Sequence, residues 1–206
     1  MHISEGILSG EVMAAGAVFT IIGVTLGLRK IDYNRIVHVA IIASAFFVAS
    51  LIHVNIGPSS VHLICNGIIG LLLGWAAFPA IFAALLLQAF FFQYGGITGL
   101  GVNTVIMAVP ALLCYYIFSP FIKKDSKLSF FASFIGGAFA TFCSAVLFAS
   151  SLWFTEKKFF GIAITIIAAH IPVMIIEGFV TGFCILFLLK VYPEIFYQKN
   201  DSLQKN

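Results

Sequence analysis

The sequence predicts an all-α integral membrane protein of about seven transmembrane helices, with the amino terminus outside and the carboxy terminus cytoplasmic. Three observations lead there. Of the 206 residues, 61% are hydrophobic and only 9% charged, whereas soluble domains carry about 25% charged residues; mean hydropathy is +1.10. Long apolar runs such as 40–52 and 130–154 show no alternation of period two, which selects helices over a barrel as the means of satisfying backbone hydrogen bonds inside lipid. Finally, the basic residues segregate strongly to one side once seven crossings are drawn.

A helical crossing needs about 20 apolar residues, with a range of roughly 17 to 25. Spans are expected at 8–28, 36–54, 61–73, 75–93, 101–122, 128–154 and 160–190. The first carries Gly10, Ala14 and Ala17 at helical spacing, small residues that admit a close helix neighbour. The third is short. It belongs to a stretch, 59–94, of 36 residues without a charge. As one helix this stretch would measure roughly 54 Å, against a hydrocarbon core of about 30 Å, so two helices are expected, breaking near Gly74 and before Pro79. Charge placement agrees with the break. Inside loops then hold Arg29, Lys30, Arg35, Lys123, Lys124, Lys127, Lys190, Lys199 and Lys205, and outside loops only Lys157 and Lys158. Merging the third and fourth spans would put the Lys123 cluster outside and weaken the bias.

No internal repeat or second domain is visible, so residues 1–197 are expected to form one transmembrane domain and 198–206 a short cytoplasmic tail. The start lacks a basic n-region and carries His2 and Glu5, so no cleavable signal peptide is expected. Cys65, Cys114, Cys143 and Cys184 stand singly in apolar segments without C-x-x-C spacing, and they read as small hydrophobes. The glycine-rich stretch 95–101 lacks the Lys-Ser/Thr of a P-loop and is expected to be a flexible outer loop. Hydrolytic motifs such as H-E-x-x-H and G-x-S-x-G are absent from the sequence. The expectation is therefore a chain that is no enzyme, carries no cofactor, contacts membrane lipid and binds no nucleic acid.

The remaining chemistry is concentrated at the first two residues. A free amine followed directly by histidine is a chelator: the Met1 amine, the His2 backbone nitrogen and the His2 imidazole Nδ1 close a five-membered and a six-membered ring around one metal ion. Planar nitrogen coordination suits Ni(II) and Cu(II). A fourth nitrogen can come from His62 in Gly57-Pro58-Ser59-Ser60-Val61-His62-Leu63. Asn66 follows His62 by four residues, so on a helix it would share its face and could orient the imidazole. His53 stands where the second span meets this loop, either beside the ligands or on the ion's way in, or, the better reading, as a solvated helix end. Glu5 and Glu11 lie close behind the chelator, where negative charge favours a cation, or where either carboxylate could hold the segment by hydrogen bonds. His38 reads as structural. His170 and Glu177, seven apart on one face, are expected to form a buried polar contact within the last span.

At these residues the sequence resembles the CbiM/NikM family, the cobalt and nickel substrate-binding subunits of energy-coupling-factor (ECF) ABC transporters. The resemblance runs through Met1-His2-Ile3-Ser4-Glu5-Gly6, 57–66, Leu86-Leu87-Gln88-Ala89, 95–103 and His170-Ile171-Pro172-Val173-Met174-Ile175-Ile176-Glu177-Gly178. The family often has proline where Ser4 stands, a departure that leaves the donors untouched. The resemblance implies metal ligation by Met1, His2 and His62 in a single metal-binding domain, and uptake of divalent cobalt across the cell (inner) membrane to feed cobalamin biosynthesis. It implies as partners two cytoplasmic ATPase subunits and a membrane coupling (T) subunit, often with a small accessory membrane subunit. Three alternatives stand beside cobalt import: nickel import through the same site, a stand-alone metal permease, and an intramembrane metalloenzyme using His170 and Glu177.

Overall fold

A computed structural model describes residues 2–51, 53–56, 59–122 and 126–197, the strand residues by their backbone alone. Helix α1 (Gly10–Arg29) starts at Ser9, whose Oγ accepts the Val12 N–H at 3.5 Å, and carries Glu11 in its first turn and Arg29 in its last. Both charges complement the helix dipole. After a 3-10 turn at Tyr33–Arg35 comes α2 (Ile36–Ala49). Strands β1 (His53–Ile56) and β2 (Ser59–His62) pair antiparallel, with His53 opposite His62 and Ile56 opposite Ser59. The rest is helical: α3 (Asn66–Leu73), α4 (Ala77–Phe92), α5 (Leu100–Phe118), α6 (Ser126–Thr155), α7 (Phe160–Ala169) and α8 (Ile171–Val191).

Side-chain contacts sort the helix termini to two ends of the molecule. At the amino-terminal end, the Ser9 N–H donates to Thr155 Oγ1 at 3.3 Å, Ile3 bonds Asn103, and the His2 ring faces Tyr94. At the opposite end, Lys30 lies 4.4 Å over the Trp75 ring and the Trp75 indole N–H donates to the Tyr116 hydroxyl at 2.7 Å. There too, Arg35 donates to the Ile195 carbonyl at 3.2 Å and His38 Nε2 bonds the Tyr192 hydroxyl at 2.9 Å. Among the described residues the chain therefore passes between these ends seven times, with α7 and α8 sharing the last passage.

The seven passages are not seven long helices. Five helical stretches, Gly10–Arg29, Asn66–Phe92, Leu100–Phe121, Ser126–Thr155 and Lys157–Val191, are long and apolar enough to cross a membrane. Helix α2 has 14 residues and stops at Ala49 rather than continuing to 54. The expected helix at 61–73 is strand, then irregular chain, then the eight-residue α3. Asn66 opens α3 against Met107 of α5 and Ser144 of α6, and Met107 lies seven residues into its helix, a depth of roughly 10 Å. Half of the third passage is thus non-helical backbone at membrane depth, which is tolerated only where protein surrounds it and satisfies its polar groups. The break after α3 falls where it was expected, at Gly74, whose φ of 55° and ψ of −121° are accessible to glycine and costly elsewhere.

Close packing between helices relies on glycine, since lipid supplies no hydrophobic drive for helices to associate. The buried stripe of α1 is Gly16, Thr20, Gly23 and Gly27; of the three small residues expected to admit a neighbour, Ala17 does so with its backbone, 2.8 Å from a Cβ placed on Gly101, while Gly10 and Ala14 are exposed. A Cβ on Gly27 would lie 2.5 Å from Pro79 Cδ, and one on Gly16 2.8 Å from Val102 Cα, while Thr20 Oγ1 donates to the Gly101 carbonyl at 2.7 Å. The α6–α8 contact is built likewise: a Cβ on Gly178 would meet the Phe134 carbonyl at 2.9 Å and one on Gly182 would meet Phe130 at 2.8 Å. Large side chains such as Phe19, Phe90, Phe183 and Phe187 are exposed outside this core, the arrangement of a multi-pass membrane protein.

Gly70 gives the packing its test. A Cβ there would meet the Ala111 backbone, 2.9 Å from Cα, so Gly70→Ala should destabilise the protein by about 1–3 kcal/mol and lower the thermal midpoint in detergent. Gly161→Ala, with nothing within 4 Å, should leave the midpoint unchanged or slightly raised.

Candidate metal centre

The first residues of a chain are poorly ordered unless tied down, so a donor at position 2 needs the backbone behind it fixed. Ile3 supplies the first anchor. Its side chain is 1% exposed and packs with Leu8, Val102, Ile106 and Leu152. Its backbone is held on both sides by Asn103 in the first turn of α5: the Ile3 N–H donates to Asn103 Oδ1 at 2.9 Å, and Asn103 Nδ2 donates to the Ile3 carbonyl at 3.1 Å. A neighbouring strand would offer the same pairing, here supplied by one buried side chain. Glu5 is the second anchor, its carboxylate accepting the Ile97 N–H at 2.8 Å and the Thr98 N–H at 3.2 Å. Ser9 is the third, bonding Thr155 at the end of α6.

These anchors seat His2, whose partly buried ring stacks on Tyr94 with centroids 6.2 Å apart and 14° between planes. The loop between α4 and α5 comes close enough because Gly95 and Gly96 have φ of 74° and 69°, a region open to glycine. A Cβ on Gly95 would stand 2.6 Å from Asn103 Nδ2 and 3.3 Å from His2 Cβ. The expected flexible outer loop is instead the packed seat of the amino-terminal segment. Glu5 holds the segment by hydrogen bonds, its Oε1 accepting both loop N–H groups.

The second candidate donor, His62, stands in β2. Met1 and the side chains of His53 and His62 lie outside the described residues; the backbone register sets the two histidines opposite one another. His62 is in β2 and Asn66 opens α3, so they do not share a helix face as expected. Asn66 is fully buried: its Nδ2 donates to Ser144 Oγ at 2.7 Å, and its Oδ1 has no hydrogen-bond partner among the described residues. Glu177, also fully buried, accepts the Ile64 N–H and, at 3.1 Å to each carboxylate oxygen, the Cys65 N–H. His170 Nδ1 pairs instead with the Ile166 carbonyl at 2.7 Å. The expected His170–Glu177 contact is replaced by these two separate ones, because the broken third passage presents N–H groups that compete for the carboxylate. His38 is structural as expected, bonded to Tyr192.

Asn103 entered the sequence reading only as the end of a motif shared with the family, with no role of its own, and Tyr94 and Ser144 were given none. A lone asparagine in the apolar helix 101–122 was the available signal, since polar groups at that depth need partners. Among the described residues no three of His, Cys, Asp and Glu are grouped to hold a metal.

Comparison with known proteins agrees with this architecture. Residues 2–195 match the family model described as cobalt uptake substrate-specific transmembrane region, CbiM. A metal transport protein of Haemophilus influenzae is 40% identical over 202 residues, covering 95% of this chain and 96% of its own. The fused nickel transport protein NikMN of Rhodobacter capsulatus is 40% identical over 115 residues, 53% of this chain and 33% of that one. A crystal structure of a transition metal transporter superposes with a TM-score of 0.78 at 25% identity, covering all of both chains.

The Asn103 clamp can be tested alone. Asn103→Ala strands the Ile3 N–H and carbonyl in a buried setting, at about 1–3 kcal/mol for each unsatisfied group. The expected outcome is faster hydrogen exchange or proteolysis confined to residues 2–9, with the helices still protected.

Proposed function

Because the chain belongs to the CbiM family of cobalt-uptake transmembrane proteins, we propose that it captures divalent cobalt at the end bearing its amino terminus and passes it to the cytoplasm. Its own part is recognition and release. The observation that carries this reading is the double hydrogen bond between Ile3 and buried Asn103, which holds the residue behind His2 as a terminal chelate requires. The donors are the Met1 amine, the backbone and imidazole nitrogens of His2, and an imidazole nitrogen of His62. The unpartnered Oδ1 of Asn66 is suited to accept the other N–H of His62, the usual arrangement around metal-bound histidine. His53 is the neighbour of His62 across the ladder.

Basic residues support the orientation. Arg29, Lys30, Arg35, Lys127 and Lys190 lie at the end opposite the amino terminus, and Lys157 and Lys158 at the amino-terminal end, so the positive-inside rule puts the amino terminus outside. With no P-loop in its sequence, the chain needs partners for active uptake: two cytoplasmic ATPase subunits, a membrane coupling subunit of the ECF type and a small accessory membrane subunit. Residues 1–197 act as one transmembrane domain in this assembly. The donor set also accepts nickel, and the resemblance to NikMN favours testing both ions. An intramembrane hydrolase has less support, since Glu177 is engaged by backbone N–H groups and His170 by its own helix.

His62→Ala should weaken cobalt and nickel binding at least about tenfold, measured by equilibrium dialysis of purified protein; wild-type affinity would remove His62 from the site. An uncleaved amino-terminal tag, which turns the Met1 amine into an amide, should abolish high-affinity binding, whereas a carboxy-terminal tag should not.

Metal binding should also release protons. The amine has an unperturbed pKa of about 7.7 to 8.0 and imidazole one near 6.5, so affinity should fall as pH drops through that range. Calorimetry in buffers of different ionisation enthalpy reads the effect; identical heats in all buffers would count against an amine–imidazole site.

A further inference from the structure

Each segment that carries a proposed donor is gripped by one buried polar side chain, and the two gripping residues stand on different helices. Asn103 of α5 holds Ile3, directly after His2. Glu177 of α8 holds Ile64 and Cys65, two and three residues after His62. We propose that Glu177 is the positioning residue for His62, fixing the hairpin's exit to α8, so that the donor set assembles only while α5 and α8 keep their present separation. This rests on the assignment of His2 and His62 as donors.

The chemistry of position 177 fits that role. The irregular chain between β2 and α3 has no ladder or helix partner for these N–H groups, and its Cys65 adopts φ of 53°, a left-handed conformation that a non-glycine residue keeps only where its surroundings hold it. A carboxylate can accept all the N–H groups offered: Oε1 takes Ile64 and Cys65, and Oε2 takes Cys65 again. Its oxygens also stand at the start of α3, where the helix dipole favours an acceptor. A glutamine would offer one acceptor oxygen and set its own N–H donors against those of the backbone. Glu177 cannot follow the hairpin independently, because Gly178 and Gly182 lock α8 against Phe134 and Phe130 of α6. Moving α8, with α6 locked to it, away from α5 would draw the backbone after His62 away from the segment that Asn103 holds, giving the site a means of release that needs no change at the donors themselves.

The test is a double-mutant cycle on the full chain in detergent, read as the dissociation constant for nickel(II) alone and as the absorption band of the bound ion. Glu177→Gln should weaken binding about tenfold or more, the range of outer-shell partners, and shift the band toward that of His62→Ala. In a His62→Ala background Glu177→Gln should change affinity by less than about twofold, the limit of ordinary additivity error, whereas Asn103→Ala should still weaken it. Equal losses from Glu177→Gln in both backgrounds, or wild-type affinity for the single variant, would overturn the proposal. If His62→Ala alone binds nickel like wild type, the donor assignment fails first, and that variant identifies the failure. Should Glu177→Gln not fold, the same cycle is run with Glu177→Asp, which keeps both oxygens one methylene further back.

Discussion

A buried carboxylate bound to backbone N–H groups in the middle of the bundle is the constraint on which this architecture turns. An interrupted passage leaves N–H groups that lipid cannot satisfy, each costing several kcal/mol if abandoned. Glu177 accepts those of Ile64 and Cys65, and Asn66 ties the start of α3 to Ser144 of α6. With these bonds made, the third passage can stop being a helix halfway and offer its outer half as a hairpin. In that hairpin the backbone of His62 in β2 stands opposite that of His53 in β1. The cost of irregular backbone at depth is offset by two polar side chains from other helices.

Composition made the membrane class legible, because a chain with 9% charged residues cannot cover a water-facing surface. The break at Gly74 was legible for a similar reason: an uncharged run longer than the bilayer is thick has to turn. The hairpin was not. Residues 59–73 have the hydropathy of a crossing, and hydropathy is blind to whether apolar backbone is helical. What decides the matter is a carboxylate 113 positions away from Ile64, a long-range partner that no local pattern contains. The packing stripe of α1 was displaced for a related reason, since both candidate faces carry small residues and only the position of Val102, Phe78 and Pro79 selects Gly16, Gly23 and Gly27.

The candidate site divides in the same way. His2 stood out because its chemistry is local, a chelate drawn from adjacent atoms. Glu5 stood out too, but which role it plays is set by the loop at 95–99, which two positive-φ glycines bring against it. Asn103 carries the most weight in seating the segment and was the least visible, because its two bonds span 100 residues.

Helix α6 adds a consequence for the surroundings of the amino-terminal segment. Its 30 residues extend roughly 45 Å, whereas the hydrocarbon core is about 30 Å and a typical tilt is about 20°. Several residues at each end must therefore project into the headgroup layer. Thr155, the last residue of α6, is the one bonded to Ser9, so the amino-terminal segment rides at headgroup level rather than within the acyl chains. Water and phosphate are then at hand for the exposed polar groups of that segment, Glu5 among them, and none of these has to be stripped of hydration as it would be in hydrocarbon.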